Sequence, residues 1–251
     1  MAKVYVFVNQ KGGVGKTTSV INIGAYFAET GKKTLLIDFD SQANMTSGVG
    51  VAKQKPTIYE FIAEKATASE IVRKTCVPNL FAIPSSIDLS GATVELANRE
   101  GRDFYLKNAL QPLMDDYDYI LVDCPPSLGI LTINGLAAAQ KVFIPMQCEY
   151  FDLEGMSLLL GTIKRIQGSV NPDLKIGGIF FTMYDSRTKL AHDVINQVRQ
   201  YFPNHVFSTI IPRNVRLSEA PSHGMPICKY DGSCTGAKSY KELAAEILQN
   251  G

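Results

Sequence analysis

Apolar residues are concentrated in short runs rich in β-branched and aromatic side chains, at 3–9 (KVYVFVN), 33–40 (KTLLIDFD), 117–125 (YDYILVDCP), 141–146 (KVFIPM) and 175–184 (KIGGIFFTMY), with a shorter candidate at 80–85 (LFAIPS). Each run stops at Gly, Pro or polar residues, a pattern that predicts strands buried on both faces. Between the runs the apolar spacing becomes helical. Helices are predicted over 17–31, closed by Gly31; 130–140; 152–169, opened by an Asp152 cap; 188–202, opened by Thr188; and 236–249. This alternation predicts an α/β fold, a mostly parallel twisted sheet with helices on both faces. No repeat, low-complexity tract or linker interrupts it, so residues 1–251 are expected to form a single domain.

Composition narrows the class without naming an activity. Hydrophobic residues make up 45% and charged residues 20%, a balance that excludes a disordered chain. The opening MAKVYVFVNQ has too short an apolar run for a signal segment, so a cytoplasmic protein is expected. Five scattered cysteines (Cys76, Cys124, Cys148, Cys228, Cys234) without C-x-x-C spacing fit reduced thiols in a reducing compartment. Net charge is +1, yet residues 187–241 carry eight Lys and Arg against three acids, a local +5 that leaves the remainder near −4. Such asymmetry suggests a polyanion partner, and a merely solvated surface is the alternative.

The chemistry is concentrated in NQKGGVGKTT, residues 9–18, between the first strand and the first helix. The usual phosphate loop reads G-x-x-x-x-G-K-[ST], and here Gln10 occupies the first glycine's place while Lys11 adds a second cation. Gly12, Gly13 and Gly15 let the backbone turn tightly and bring N–H groups to phosphate oxygens, and the helix starting near Lys16 adds its positive end. Lys16 is expected on the β and γ phosphates of ATP, and the Thr17 hydroxyl on Mg2+. Asp123, ending the hydrophobic strand of YILVDCPPS, has the form of a Walker B carboxylate that organises the Mg2+ shell. In DFDSQAN, Asp38 and Asp40 are assigned opposite faces and separate tasks, one toward the metal and one orienting an attacking water.

KGGVGKTT with its extra lysine, DFDSQAN, VDCPPSLG and IIPRNVRLSEAPSHGMPI together resemble the deviant Walker A ATPases of the ParA/Soj type, which partition bacterial chromosomes and plasmids. The resemblance runs the whole chain. KGGVGKTT alone is shared with MinD-type regulators and nitrogenase iron proteins, and IPRNVRLSEAPSHG narrows it to partition ATPases. It implies a P-loop NTPase fold of the deviant Walker A type, in which Lys11 crosses a homodimer interface to the partner's nucleotide, two ATP being sandwiched between the subunits. It further implies that the loop Lys11, Gly12, Gly13, Val14, Gly15, Lys16, Thr17 and Thr18 holds the phosphates, that Asp38 supports the metal with Thr17 and Asp123, and that Asp40 positions the hydrolytic water. Adenine is expected against Pro212 and Asn214, and non-specific double-stranded DNA on Arg187 and Arg216, with a ParB-like centromere-binding protein as partner and nucleoid association as the location. One departure is Asp40-Ser41-Gln42, where family members often have Asp-Pro-Gln; without proline that backbone is less constrained.

Other branches are expected to be absent. A first strand starting at Lys3 leaves no room for an N-terminal helix-turn-helix, and KELAAEILQNG lacks the basic, aromatic character of a membrane-binding helix, so no stable membrane association is expected. Cys124 has no matching cysteine for an iron–sulfur cluster, and Tyr230 and Tyr240 do not make the tyrosine cluster of a kinase tail. The competing functional reading is a positioning ATPase acting on a protein cargo or membrane surface.

Overall fold

The computed structural model describes residues 1–97 and 99–250, with all their side chains except those of 96–97 and 150–154. Among the described residues seven strands are found: β1 (Lys3–Phe7), β2 (Thr34–Asp38), β3 (Arg73–Lys74), β4 (Leu80–Ile83), β5 (Tyr119–Asp123), β6 (Lys141–Gln147) and β7 (Lys175–Thr182). They form one sheet in the order β3-β4-β2-β5-β1-β6-β7. Every pairing is parallel except β3 with β4. The mostly parallel sheet is therefore as expected, and the shorter candidate near residue 80 is a strand.

Alternation along each strand supplies two cores. Val4 and Val6 of β1, Leu35 and Ile37 of β2, and Ile120 and Val122 of β5 face one layer. Tyr5, Phe7, Leu36, Tyr119 and Leu121 face the other. Because successive side chains point to opposite faces, a strand covered on both sides must be apolar throughout, which is why these strands read as unbroken runs. The second layer contains the helices Lys16–Glu29 and Thr235–Gln249. The first contains Ile130–Ala138, Tyr150–Ser169 and Lys189–Tyr201. Ile130–Ala138 lies very close to the sheet: a Cβ at Gly135 would stand 2.7 Å from Cys124 Sγ and 3.0 Å from Val6 Cγ2.

Several predicted boundaries shift for local reasons. β2 stops at Asp38 rather than at residue 40, because the Asp40 N–H turns back onto Asp38 Oδ1 at 3.3 Å. The helix predicted from 152 begins at Tyr150, so Asp152 falls inside its first turn, and its proposed capping side chain lies outside the described residues. Thr188 does precede its helix, but its hydroxyl donates to Asp185 O at 3.0 Å instead of capping. Apart from β4, the described part of residues 54–114 carries short elements that the pattern did not resolve, among them the helices Ile58–Ile62, Leu89–Ala97 and Tyr105–Ala109. No helix among the described residues is long and apolar enough to cross a membrane.

Candidate nucleotide site

The loop after β1 leads directly into Lys16–Glu29 at the carboxyl end of the parallel strands, where open α/β sheets bind ligands. Gly13 and Gly15 adopt left-handed backbone angles, φ 75° and 85°. An L side chain would be strained at either position, so the double turn depends on glycine there. Lys16 is nearly buried, and its ammonium donates to the Lys11 carbonyl at 3.1 Å, across the loop it serves. Burial lowers its pKa, an effect opposed by the nearby Asp123. Thr182, at the end of β7, donates to Val14 O at 2.8 Å and so pins the loop from a strand 168 residues away in sequence.

Asp38 and Asp123 are register partners at the ends of β2 and β5, on the face that carries the helix Lys16–Glu29. Both are buried. Burial pushes Asp38 up to about 6, despite hydrogen bonds from Thr46 and Asp40 that favour its charged form. Asp123 is raised well above the usual carboxylate range by burial and then by Asp38, while Thr17 and Lys16 pull the other way. Its Oδ1 has no hydrogen-bond partner. A buried carboxylate oxygen without a partner, beside a hydroxyl and a second carboxylate, is a hard oxygen set short of positive charge, which fits Mg2+. Among the described residues no group of three or more His, Cys, Asp or Glu could hold a metal alone. That also suits Mg2+, which is usually held by one or two carboxylates together with phosphate oxygens and water.

The separation of Asp38 from Asp40 requires a correction. Two residues apart in an extended strand point to the same face, so alternation cannot divide them. They diverge because the strand ends: Asp38 stays buried, and half-buried Asp40 enters a turn in which its Oδ1 accepts from Gln42 N at 3.0 Å and its carbonyl from Ala43 N at 3.0 Å.

A cavity of about 550 Å3 is lined by Gly12, Gly13, Gly15, Lys16, Thr17 and Thr18 on one side, and by Asp40, Gln42 and Pro126 among others. A neighbouring cavity of about 470 Å3 is lined by Pro212 and Asn214, with Ile211, Leu217 and Tyr240. Gly15, Thr18, Met183 and Pro221 line both, so the two cavities adjoin across the glycine loop. A larger cavity of about 730 Å3, among Phe61, Tyr105, Leu113 and Tyr117, touches none of these loop residues and plays no part in the site.

A family model described as an AAA domain matches residues 2–176. The chain is 64% identical over 248 residues to the chromosome-partitioning ATPase Soj of Treponema pallidum, covering 99% of this chain and 98% of that protein. It is 49% identical to the sporulation initiation inhibitor protein Soj of Bacillus subtilis, across 100% of both chains. The chain belongs to the ParA/Soj partitioning ATPases. A solved structure described as cobyrinic acid a,c-diamide synthase from Mycobacterium smegmatis, with bound ADP and magnesium, matches at TM-score 0.87 and 38% identity, covering 99% of this chain and 95% of that one. One fold hosts unlike activities, and the higher identities decide for partitioning.

In this partitioning ATPase the two loop lysines have different surroundings. Lys11 is absent from the residues lining the 550 Å3 cavity at the glycine loop. Its ammonium pairs with Glu149 at 2.6 Å and lies 3.4 Å from Gln147 Oε1. The adenine candidates differ in a similar way. Asn214 lines its cavity and its amide makes two bonds within the fold: Oδ1 caps the helix Val215–Glu219 by accepting from Leu217 N at 3.3 Å, and Nδ2 donates to Thr235 Oγ1 at 2.9 Å. Arg187 is exposed and held by Asp185. Arg216 is paired with Glu219 at 2.9 Å and Asp231 at 3.5 Å. The two stretches meet through the bridge between Tyr184 and Pro212, which brings both arginine-bearing segments to the β7 edge of the sheet.

Three contributors escaped the sequence reading. Met183 lines both cavities in a left-handed conformation, φ 51°, the kind of local strain that persists at ligand clamps. Gln147 donates to Gly13 O at 3.2 Å while contacting Lys11, and Glu149 supplies that lysine's counter-charge. Gln147 and Glu149 lie just beyond the run predicted to end at 146, where strand-end polar residues of a nucleotide fold are a usable signal.

Proposed function

We propose that this chain is an ATP-dependent dimerising switch that binds duplex DNA non-specifically and drives chromosome or plasmid segregation with a ParB-like partner. Each subunit holds ATP with Lys16, Thr17, Thr18 and the loop amides, and Mg2+ with Thr17 and Asp123, Asp38 supporting that pair. Bound Mg2+ neutralises charge developing on the phosphates. Asp40 orients the attacking water, and Lys11 reaches the nucleotide of the second copy, so hydrolysis dissolves the dimer.

The observation that carries this reading is the different placement of the two lysines. Lys16 lies inside its own phosphate cavity, whereas Lys11 is outside that lining, on Glu149 at the rim. A cation held by Glu149 and Gln147 outside the lining can turn to a phosphate approaching from another subunit by exchanging such contacts for another anion. DNA is favoured over a membrane because the helix Thr235–Gln249 already buries its apolar face, with Ala237, Tyr240, Leu243, Ala244 and Ile247 buried in the core. Exposed arginines paired only with exposed or half-exposed acids can exchange those partners for phosphates at small penalty.

The test is electrophoretic mobility shift on two unrelated duplexes, with and without ATP and Mg2+, at rising salt. Binding should need ATP, ignore sequence and weaken steeply with salt. Arg187→Ala and Arg216→Ala should weaken it while ATP-dependent dimerisation survives. Alanine is preferable to glutamate at position 216, since a third acid beside Glu219 and Asp231 would perturb the fold itself. Equal binding without nucleotide, or recruitment to liposomes in place of DNA, would overturn the proposal.

A further inference from the structure

Thr46 is fully buried in the helix Asn44–Gly48, eight residues beyond Asp38. Its backbone N–H and its hydroxyl both donate to one oxygen, Asp38 Oδ2, at 2.7 and 2.6 Å. The same hydroxyl accepts from the Ser85 N–H at 2.9 Å, just beyond β4. The opposite oxygen, Asp38 Oδ1, accepts from Asp40 N at 3.3 Å. A carboxylate is planar and rigid, so fixing one oxygen with two donors sets the direction of the other. Asp40 is thereby held at the end of a lever whose far end is Thr46.

We propose that Thr46 is a positioning residue for ATP hydrolysis, fixing Asp40 through the two oxygens of Asp38. The inference rests on Asp40 orienting the water. Its basis is the chemistry buried at position 46. Valine would fill the same shape without a polar group, and a buried hydroxyl is favourable only where it is hydrogen-bonded. Here its donor and an acceptor position are both used, one partner ending β2 and the other lying two residues beyond β4. The segment it closes runs from residue 38 to 46 and contains Asp40 and Ser41, so its geometry depends on such tethers. The clamp also joins β2 to Ser85, two residues beyond β4, a neighbouring strand in the sheet.

Thr46→Val, Thr46→Ser, Asp40→Ala and the Thr46→Val/Asp40→Ala double variant separate the possibilities, each compared by kcat at saturating ATP, ATP affinity by calorimetry, and thermal melting. Thr46→Val should lower kcat about tenfold, the scale of one buried hydrogen bond lost at a positioned group, with ATP affinity unchanged within about threefold. Thr46→Ser, which keeps the hydroxyl, should restore most of the rate. The double variant should be no slower than Asp40→Ala alone, because a residue acting through Asp40 has nothing further to lose. Should the valine variant fail to fold, Thr46→Ala is carried through the same cycle. A wild-type rate in Thr46→Val, or losses that multiply in the double variant, would overturn the inference while leaving Asp40's role standing. An unchanged rate in Asp40→Ala would remove both together.

Discussion

Replacing each loop lysine by alanine separates the two cations, because the structure gives them different surroundings. Lys16 is nearly buried and lines the phosphate cavity. An ammonium there would make about two charge-assisted hydrogen bonds to phosphate oxygens, each contributing about 1.5–3 kcal/mol. Lys16→Ala should therefore cost about 3–6 kcal/mol of ATP binding, a weakening of roughly 10²- to 10⁴-fold. Lys11 is outside that lining and pairs with Glu149, its side chain 34% exposed. A pair so exposed contributes at most about 1 kcal/mol, so Lys11→Ala should change monomer affinity by less than about fivefold. Its effect should instead fall on assembly: ATP-dependent dimerisation is lost. The assay is calorimetry with a slowly hydrolysed ATP analogue and Mg2+ at protein concentrations below dimerisation, followed by sedimentation at high concentration. Equal affinity losses in the two variants would place Lys11 on its own subunit's phosphates and refute the cross-subunit argument. Full dimerisation of Lys11→Ala would refute it from the other side.

Asp40→Ala should bind ATP and dimerise while hydrolysis falls by about 10²-fold or more, leaving a persistent dimer on size-exclusion chromatography with ATP; a monomer would mean that Asp40 serves binding or folding. Gly135→Ala should destabilise the fold by about 1–3 kcal/mol in urea titration, since its Cβ would press on Cys124 Sγ and Val6 Cγ2, and an unchanged midpoint would show that the helix Ile130–Ala138 can withdraw freely. Asn214→Ala removes a helix cap and should lower stability by about 1 kcal/mol, with a smaller effect on ATP discrimination against GTP than an adenine-reading amide would produce; loss of discrimination at unchanged stability would restore the amide to base recognition.

Alternation and local turn chemistry were sufficient for the five long strands, the helices between them and the phosphate loop, because each depends on residues close together in the chain. A strand covered on both faces is apolar throughout, and a loop that turns twice with positive φ needs glycine, so both leave a mark in any short window. Apart from the strand near residue 80, the same windows were silent on residues 54–114, whose other elements are two to nine residues long and complete a period or two at most. They were silent, too, on how the site is joined. Asp38 and Asp123 become neighbours only through the register of β2 against β5, and Lys11 meets Glu149 across 138 residues of chain. Thr46 reads in sequence as one more polar residue in a short helix; its significance comes from burial against Asp38 and Ser85. Residue types and local conformation follow from sequence because their physics is local. Which carboxylate oxygen lacks a partner, which lysine lines the cavity and which hydroxyl is buried against Asp38 depend on long-range packing, and tertiary structure alone decides them.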